Sequence, residues 1–350
     1  MKIKLLLSLV VICFFSYSYT KIAGANAEPI GLIADPADTS NIFDPTGLLS
    51  PAAHGRLDTI QKGFSFTEGP AVDKKGDIFF SDQPNDKIFK WDATTGQVTT
   101  FMTATGRSNG MAFDKKGNLI TCAEMYGEIW KIAPDGSHTV LAKGYNGKLL
   151  NGPNDLWINP VTGGIYITDP IFPRAFWDAT DPRKTRNPRW PPTQSEQAET
   201  GKGGHVYYLA PGKKELVRLT TQAEWETDTW PNGIVGTRDG KKLYVNKYSA
   251  NNMGGTWVFD IKKDGTLTNM KKFLEMGGDG MSMDERGNIY ISNGLGITAV
   301  DSTGKRIFNI PVRGATNNVF GGKDGKTLFI TGPTDRVSAI KMSVKGVEKY

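Results

Sequence analysis

The stretch EGPAVDKKGDIFFSD, residues 68–82, is the most informative part of this chain, because its pattern occurs six times. Each copy has a polar first residue, an apolar run, a polar turn that ends in glycine, and a second apolar run. The other copies are NGMAFDKKGNLITCAE (109–124), NDLWINPVTGGIYITDP (154–170), NGIVGTRDGKKLYVNK (232–247), DGMSMDERGNIYISNG (279–294) and NNVFGGKDGKTLFITG (317–332). Self-similarity of this kind indicates a repeat architecture.

The spacing of the turn glycines identifies the repeat. Consecutive turns are 41, 47, 76, 47 and 38 residues apart, measured between Gly76, Gly117, Gly164, Gly240, Gly287 and Gly325. Four intervals fit a propeller blade of about 40 to 50 residues, and the long interval holds an insertion. The runs around each turn, and a third run after them, are rich in aromatic and β-branched residues, which favour strands. The sequence therefore predicts an all-β, six-bladed β-propeller, with an open β-sandwich as the alternative.

The stretch RLDTIQKGF, residues 56–64, precedes the first copy and is placed to add the outermost strand to the last blade. Such a strand would close the ring and protect its sheet edges. We therefore assign residues 56–350 to the propeller. Residues 28–55 lack periodicity and are predicted to form an N-terminal arm on the surface.

The long interval contains residues 171–204, which are rich in Pro, Arg and Trp. The first strand of a copy starts at the channel mouth and the second returns to it, so this insertion is expected on the channel-mouth face. We predict that it forms a wall or lid of a substrate pocket, because specificity commonly resides in loops on a rigid scaffold. The alternative is a solvent-exposed loop that packs on the neighbouring blade. In this lid, the side chains predicted to offer flat surfaces to a sugar ring are Phe172, Phe176, Trp177 and Trp190.

Residues 1–27 have the form of a secretory signal peptide, with early lysines, a short apolar run and the small residues Ala25-Asn26-Ala27. We therefore predict a periplasmic or secreted protein, with an uncleaved membrane anchor as the alternative. The remainder holds 39 basic and 36 acidic residues, so no nucleic-acid or membrane partner is implied after cleavage. Cys122 is the single cysteine left, which excludes an intramolecular disulfide.

The first residues of the six copies occupy one register position, at the start of the innermost strand of each blade. We call them the polar ring: Glu68, Asn109, Asn154, Asn232, Asp279 and Asn317. Radial symmetry brings these side chains together around the mouth of the central channel. Carboxylate and amide oxygens are the ligands that hard divalent cations prefer. Two carboxylates crowded together also repel each other unless a cation lies between them.

An alternative reading applies to part of the ring. Asn-Gly and Asp-Gly are ordinary turn dipeptides, so the five ring positions other than Glu68 also fit blade-entry turns, and for Asn109 and Asn317 this alternative has the same weight as the ligand role. Glu68 does not fit this reading, because glutamate has no turn preference.

The motifs EGP at Glu68, PND at Asn154, PNG at Asn232 and GDGM at Asp279, in this order, resemble those of the gluconolactonase and regucalcin (senescence marker protein) family. The resemblance covers nearly the whole chain after residue 27 and is nearest to secreted bacterial gluconolactonases. It implies a six-bladed propeller with one catalytic divalent cation and sugar lactonase activity. It also implies that Glu68, Asn154, Asn232 and Asp279 hold the cation, and that Asp279 is the general base.

One departure concerns the substrate. Animal members of the family have an arginine two residues before the equivalent of Asn154, whereas this chain has Gly152. The preferred lactone therefore does not follow from the resemblance. Asn109 is a candidate for orienting substrate hydroxyl groups, and Glu124 and Asp169, at the ends of second strands on the same face, are weaker candidates.

The expected reaction is hydrolysis of a gluconolactone-like sugar lactone to the aldonic acid. Calcium is the first choice of cation, with magnesium, manganese or zinc as alternatives, and either Asp279 or a water activated by the cation is the base. Two other functions stay open: a non-catalytic calcium- or carbohydrate-binding propeller, and a metal-dependent aryl esterase or organophosphatase. A serine triad, a histidine-rich metal site and a quinone-dependent dehydrogenase are disfavoured, because His54, His138 and His205 are expected away from the ring.

Overall fold

A computed structural model describes residues 42–51, 56–170, 204–220, 229–249, 254–332 and 335–348, and every structural statement below concerns these residues. They fall within the unit Ile33–Tyr350. The predicted signal peptide, the predicted lid aromatics and His54 lie outside the described residues.

The described strands form six four-stranded antiparallel sheets, which confirms the six-bladed propeller. The chain begins with β1 (Asp58–Lys62). Blade 1 contains β2 (Thr67–Val72), β3 (Ile78–Asp82), β4 (Lys87–Trp91) and β5 (Val98–Thr103). Blade 2 contains β6 (Ser108–Phe113), β7 (Leu119–Ala123), β8 (Glu128–Ile132) and β9 (His138–Ala142). Blade 3 contains β10 (Leu156–Ile158), β11 (Ile165–Asp169), β12 (His205–Leu209) and β13 (Leu216–Arg218).

The second half of the ring continues in the same order. Blade 4 contains β14 (Thr229–Gly236), β15 (Lys242–Ser249), β16 (Gly255–Ile261) and β17 (Leu267–Leu274). Blade 5 contains β18 (Met281–Met283), β19 (Ile289–Asn293), β20 (Gly296–Val300) and β21 (Arg306–Ile310). Blade 6 contains β22 (Asn318–Gly321), β23 (Thr327–Ile330) and β24 (Arg336–Lys341). Two 3-10 helices, Gln83–Asn85 and Glu124–Tyr126, follow β3 and β7.

The ring closes as predicted, because β1 pairs with β24 and becomes the fourth strand of blade 6. The described part of the N-terminal arm, residues 42–51, differs from a segment lying on the surface. Phe43 bridges to Asn309 in blade 5, and Leu48 is fully buried in the core between blades 5 and 6. This apolar anchor fastens the segment to the propeller.

The strands near the channel are buried because neighbouring blades cover both of their faces. β2 and β3 are buried along their whole length, whereas the outer strand β5 alternates between half-buried and exposed residues. Aromatic pairs join the blades: Phe80 of blade 1 lies 5.4 Å from Phe329 of blade 6, and Phe79 lies 5.0 Å from Phe113 of blade 2. The core therefore lies between the blades, around the channel.

The hairpin turns have the predicted chemistry. The Asp73 carboxylate accepts hydrogen bonds from the backbone N–H groups of Lys75 and Asp77 at 2.8 and 2.9 Å, and Gly76 adopts a left-handed φ of 91°. One position differs from the predicted one. In the third copy the left-handed residue is Gly163, with a φ of 77°, and Gly164 follows it. The turn of this copy is longer, and its left-handed residue therefore lies one position before the predicted glycine.

The C-terminal segment lies at the end of the channel opposite the polar ring. Glu348 lines a channel cavity of about 60 Å³, and its Oε1 accepts a hydrogen bond of 3.0 Å from the Met283 backbone N–H. Its Oε2 is buried and has no hydrogen-bond partner in the described structure. Burial raises the pKa of this carboxyl from 4.5 to about 7.

Glu348→Gln is therefore expected to stabilise the protein at pH 8 and to change its stability little at pH 5. Between pH 4.5 and about 7 the folded wild type keeps a proton that the unfolded chain releases, so its stability falls as the pH rises through this window. Glutamine removes that loss, and the expected gain at pH 8 is about 1 to 3 kcal/mol. Urea unfolding at both pH values measures it, with the exposed Glu215→Gln as control. An equal difference at both pH values would contradict the prediction.

Candidate functional site

The polar ring lies where the inner strands depart from regular pairing. Three of the six inner strands have a register shift against their second strand at the ring position. These shifts lie between Glu68 and Ala71, between Ser108 and Met111, and between Pro231 and Ile234. A β-bulge bends the strand and re-aims a side chain. The bulges therefore give the side chains of Glu68, Asn109 and Asn232 directions that they would not have in a regular strand.

The glycines that follow four ring residues have a packing role. A Cβ atom on Gly69 would lie 2.0 Å from the Asn109 carbonyl oxygen, and one on Gly233 would lie 2.0 Å from the Asp279 carbonyl oxygen. No side chain fits at such distances, so these glycines permit the close approach of neighbouring blades. The Asn-Gly pairs at Asn109 and Asn232 lie inside β6 and β14. The turn reading is therefore wrong for Asn109.

Hydrogen bonds connect the ring positions from blade to blade. The Gly110 backbone N–H donates to the Asn154 carbonyl oxygen at 2.6 Å, and the Gly280 N–H donates to the Thr316 carbonyl oxygen at 2.7 Å. The Thr316 hydroxyl then donates to the Thr67 carbonyl oxygen at 2.8 Å, which joins blade 6 to blade 1. Five of the six ring residues are buried, and Asp279 is partly exposed. The fold thus gathers residues separated by up to 249 positions into one layer.

Two ring amides are held by neighbouring acids. Asn317 donates from Nδ2 to Asp155 Oδ2 at 3.4 Å, and its Oδ1 accepts a hydrogen bond of 2.8 Å from the Asn318 backbone N–H. Asn109 donates from Nδ2 to Glu124 Oε2 at 3.4 Å. Because the amide groups of Asn109 and Asn317 are hydrogen-bonded to these acids, we consider the other four ring members as the cation ligands.

The remaining four, Glu68, Asn154, Asn232 and Asp279, offer two carboxylates and two amides. The Asn232 Oδ1 is buried and has no hydrogen-bond partner in the described structure. An unsatisfied buried acceptor costs about 1–3 kcal/mol, and a cation at this point would remove that cost. The described residues contain no group of three or more His, Cys, Asp and Glu side chains suited to a metal ion. A cation site here must therefore use amide oxygens, and this donor set fits a hard divalent cation.

Glu124 lies beside the ring, at the start of the 3-10 helix after β7. Besides Asn109, it accepts a short hydrogen bond from Gln83 Nε2. Gln83 starts the corresponding 3-10 helix in blade 1, so it has the register of Glu124 one blade earlier. Sequence reasoning missed Gln83, although the same count along blade 1 identifies it. Both residues are buried at the channel-mouth face.

Asp169 supports the loop that leads to Asn154. Its two carboxylate oxygens accept hydrogen bonds from the backbone N–H groups of Asn151 at 3.0 Å and Gly152 at 2.9 Å. These contacts hold the entry to the third inner strand. A contact between Asp169 and substrate stays a prediction.

Asp155 is a second residue that sequence reasoning missed. It follows Asn154 and lines the channel cavity directly below the ring. Its Oδ1 accepts a hydrogen bond of 2.8 Å from the Leu156 backbone N–H, and the Ile234 backbone also donates to the carboxylate. Burial raises the pKa of this carboxyl to about 7 against the effect of these donors.

The two described histidines have structural surroundings. His138 stacks on Trp130 with ring centres 3.9 Å apart. His205 pairs with Asp169 across β11 and β12, and its Nδ1 lies 3.2 Å from the Thr220 hydroxyl oxygen. Burial lowers the pKa of His205 to about 4, so its imidazole is neutral at pH 7. Neither imidazole belongs to the polar ring.

Comparison with known proteins places the chain in a family. Residues 66–334 match the model of the SMP-30/gluconolactonase/LRE-like region. A gluconolactonase of Zymomonas mobilis is 27% identical over 305 residues, which cover 79% of this chain and 78% of the relative. The structure of a Xanthomonas campestris gluconolactonase is similar, with a TM-score of 0.68 and 27% identity, over 86% of this chain and 95% of that one.

A third similar structure is regucalcin from Agrobacterium tumefaciens, a calcium-binding protein. It has a TM-score of 0.61 and 17% identity, and the match covers 82% of this chain and 94% of that chain. This similarity concerns the fold alone. The family match spans all six copies of the repeat and includes every member of the polar ring. The chain therefore belongs to the SMP-30/gluconolactonase/LRE-like family.

Proposed function

We propose that this protein is a divalent-metal-dependent lactonase that hydrolyses a gluconolactone-like sugar lactone to the aldonic acid. Family membership supports lactone hydrolysis in general. The observation that carries the metal requirement is the buried, unpartnered Oδ1 of Asn232 in a ring that also contains Glu68 and Asp279. Carboxylate and amide oxygens of this kind fit a hard divalent cation.

Glu68, Asn154, Asn232 and Asp279 would hold the cation. Calcium is the first choice because all four donors are oxygen atoms; magnesium, manganese or zinc are the alternatives. When bound, the cation supplies a Lewis acid that polarises the lactone carbonyl and stabilises the negative charge of the tetrahedral intermediate.

Asp279 is the proposed general base. Its carboxylate accepts a proton from a water molecule as that water attacks the lactone carbonyl carbon. The bond between the carbonyl carbon and the ring oxygen then breaks, and the proton passes from Asp279 to that oxygen, which becomes a hydroxyl group. One lactone and one water thus give one hydroxy acid. The partial exposure of Asp279, in contrast to the buried ring members, suits a group that must meet water and substrate.

Substrate hydroxyl groups are proposed to contact Asn109, Glu124 and Asp169. Glu124 is the strongest of these, because the amides of Gln83 and Asn109 orient its carboxylate at the channel-mouth face. An oriented carboxylate accepts hydrogen bonds from sugar hydroxyl groups without changing its conformation.

Removal of divalent cations is expected to abolish the acid release that purified protein catalyses from gluconolactone. Titration at constant pH measures the release before chelation, after chelation and after calcium, magnesium, manganese or zinc is restored. Heat-denatured protein gives the background rate, because this lactone also opens spontaneously. A catalysed rate that survives complete chelation would refute the metal requirement, and no rate with any cation would favour the binding propeller. Phenyl acetate and an organophosphate in parallel assays test the esterase alternative.

We also propose a periplasmic or secreted location, with a small-molecule lactone as partner and no nucleic-acid or membrane partner after cleavage. The composition of residues 1–27 supports this location. Among the described residues, no helix has the length and apolar character needed to cross a membrane.

A further inference from the structure

One member of the polar ring, Asn317, meets a side chain from the opposite blade. Asp155 belongs to blade 3 and Asn317 to blade 6, and in a ring of six these blades face each other across the channel. Asn317 Nδ2 donates to Asp155 Oδ2 at 3.4 Å. Both residues are buried and line the channel cavity. The pair therefore spans the channel.

Each side chain is held in one orientation by backbone groups. Asp155 Oδ1 accepts a hydrogen bond from the Leu156 N–H, the Ile234 backbone also donates to the carboxylate, and Oδ2 accepts from Asn317. Asn317 Oδ1 accepts the Asn318 N–H at 2.8 Å, so Nδ2 faces Asp155. A flip of the Asn317 amide would set its NH2 group against the Asn318 N–H. The donor and acceptor roles of this pair are thus determined by its surroundings.

Two glycines leave the space that the pair occupies. A Cβ atom on Gly110 would lie 2.2 Å from Asp155 Oδ1, and one on Gly280 would lie 1.9 Å from Asn317 Cγ. Gly280 is the neighbour of Asp279, and Asp155 is the neighbour of Asn154. The Asp155–Asn317 contact therefore connects the backbone at one proposed ligand to the backbone at another.

We propose that the Asp155–Asn317 pair is a strut across the channel that sets the separation of Asn154 and Asp279 and so preorganises the cation site. Asp155 and Asn317 are positioning residues in this proposal, which rests on the proposed cation site. Groups that orient ligands commonly change metal affinity by 10–100-fold when they are mutated. The strut affects cation affinity because, without it, the distance between Asn154 and Asp279 would have to change before both residues could bind the same cation.

The test exchanges the two side chains. Asp155→Asn sets an amide NH2 against the Asn317 NH2, and Asn317→Asp sets two carboxylates against each other. The double variant restores one N–H donor facing one carboxylate oxygen, with unchanged net charge and with both backbone contacts satisfied. Calcium, magnesium, manganese and zinc are titrated into each metal-free protein by calorimetry, and thermal unfolding without metal confirms that each variant is folded. We expect about 10-fold or greater weakening of cation binding in each single variant and recovery to within about threefold in the double variant.

Ser282→Ala is the matched control, because Ser282 lines the same cavity and donates to Asn318 rather than to the strut. It is expected to bind cations within about twofold of wild type. Wild-type affinity in both single variants would overturn the strut, and equal weakening in the single and double variants would overturn the pairing. A wild-type protein that binds none of the four cations would refute the cation site itself, which distinguishes failure of the proposed function from failure of the strut.

Discussion

Replacing Asp279 with asparagine is expected to lower kcat for gluconolactone by about 100- to 10,000-fold, the range that a general base contributes. Asparagine keeps an oxygen for the cation and has nearly the same size, but it cannot accept the proton of the attacking water. The neighbouring backbone contacts of Asp279, its N–H to the Ser292 carbonyl oxygen at 2.7 Å among them, do not involve the carboxylate. The folded structure should therefore survive the substitution.

The rate of Asp279→Asn is measured by acid release at saturating cation, so that weaker cation binding does not imitate a loss of chemistry. Asp264→Asn is the control, because Asp264 is an exposed turn residue of blade 4 at the end of the propeller away from the ring. A kcat within threefold of wild type, with the background subtracted, would show that another group takes the proton.

Gly233→Ala is expected to destabilise the protein by more than about 3 kcal/mol and to remove cation binding. The new Cβ atom would lie 2.0 Å from the Asp279 carbonyl oxygen and 2.8 Å from the Gly280 Cα. Both are backbone atoms of the next blade, so relief requires that blades 4 and 5 move apart at the ring. Urea unfolding measures the loss of stability, and calorimetry measures the loss of cation binding.

Gly152→Ala is the matched control for this effect. Its φ is also outside the left-handed region, and the nearest atom to its new Cβ is Glu124 Cγ at 3.3 Å, a side-chain atom that needs to move by only a few tenths of an ångström. We expect a change below about 1 kcal/mol. Equal destabilisation in the two variants would contradict the claim that close blade contact requires Gly233.

Much of the fold was predictable because the inner strands repeat in local sequence. The second strands β3, β11 and β19 carry runs of aromatic and β-branched residues and are buried along their whole length. The fourth strands were harder to recognise. β5 and β17, for example, alternate irregularly between exposed and half-buried residues, because one side of an outer strand faces water. Their sequences therefore carry a weaker signal.

The polar ring was predictable for a similar reason, since duplication keeps equivalent residues in register. What each ring residue contacts was not predictable. Asn109 and Asn232 have the same neighbour in sequence, a glycine, yet Asn109 donates to Glu124 whereas the Asn232 Oδ1 has no partner in the described structure. The Asn109 contact depends on Glu124, which lies at the end of another strand and accepts the hydrogen bond from Asn109 Nδ2.

The number of blades, the closure by β1 and the six ring positions are predictable from the sequence, because each follows from a pattern that is local and repeated. The contacts of Asn109 with Glu124 and of Asn317 with Asp155 are visible only in the folded protein. They join residues that are far apart along the chain or on different strands. Asp155 and Asn317 are 162 residues apart, and their contact exists only because ring closure places blades 3 and 6 face to face.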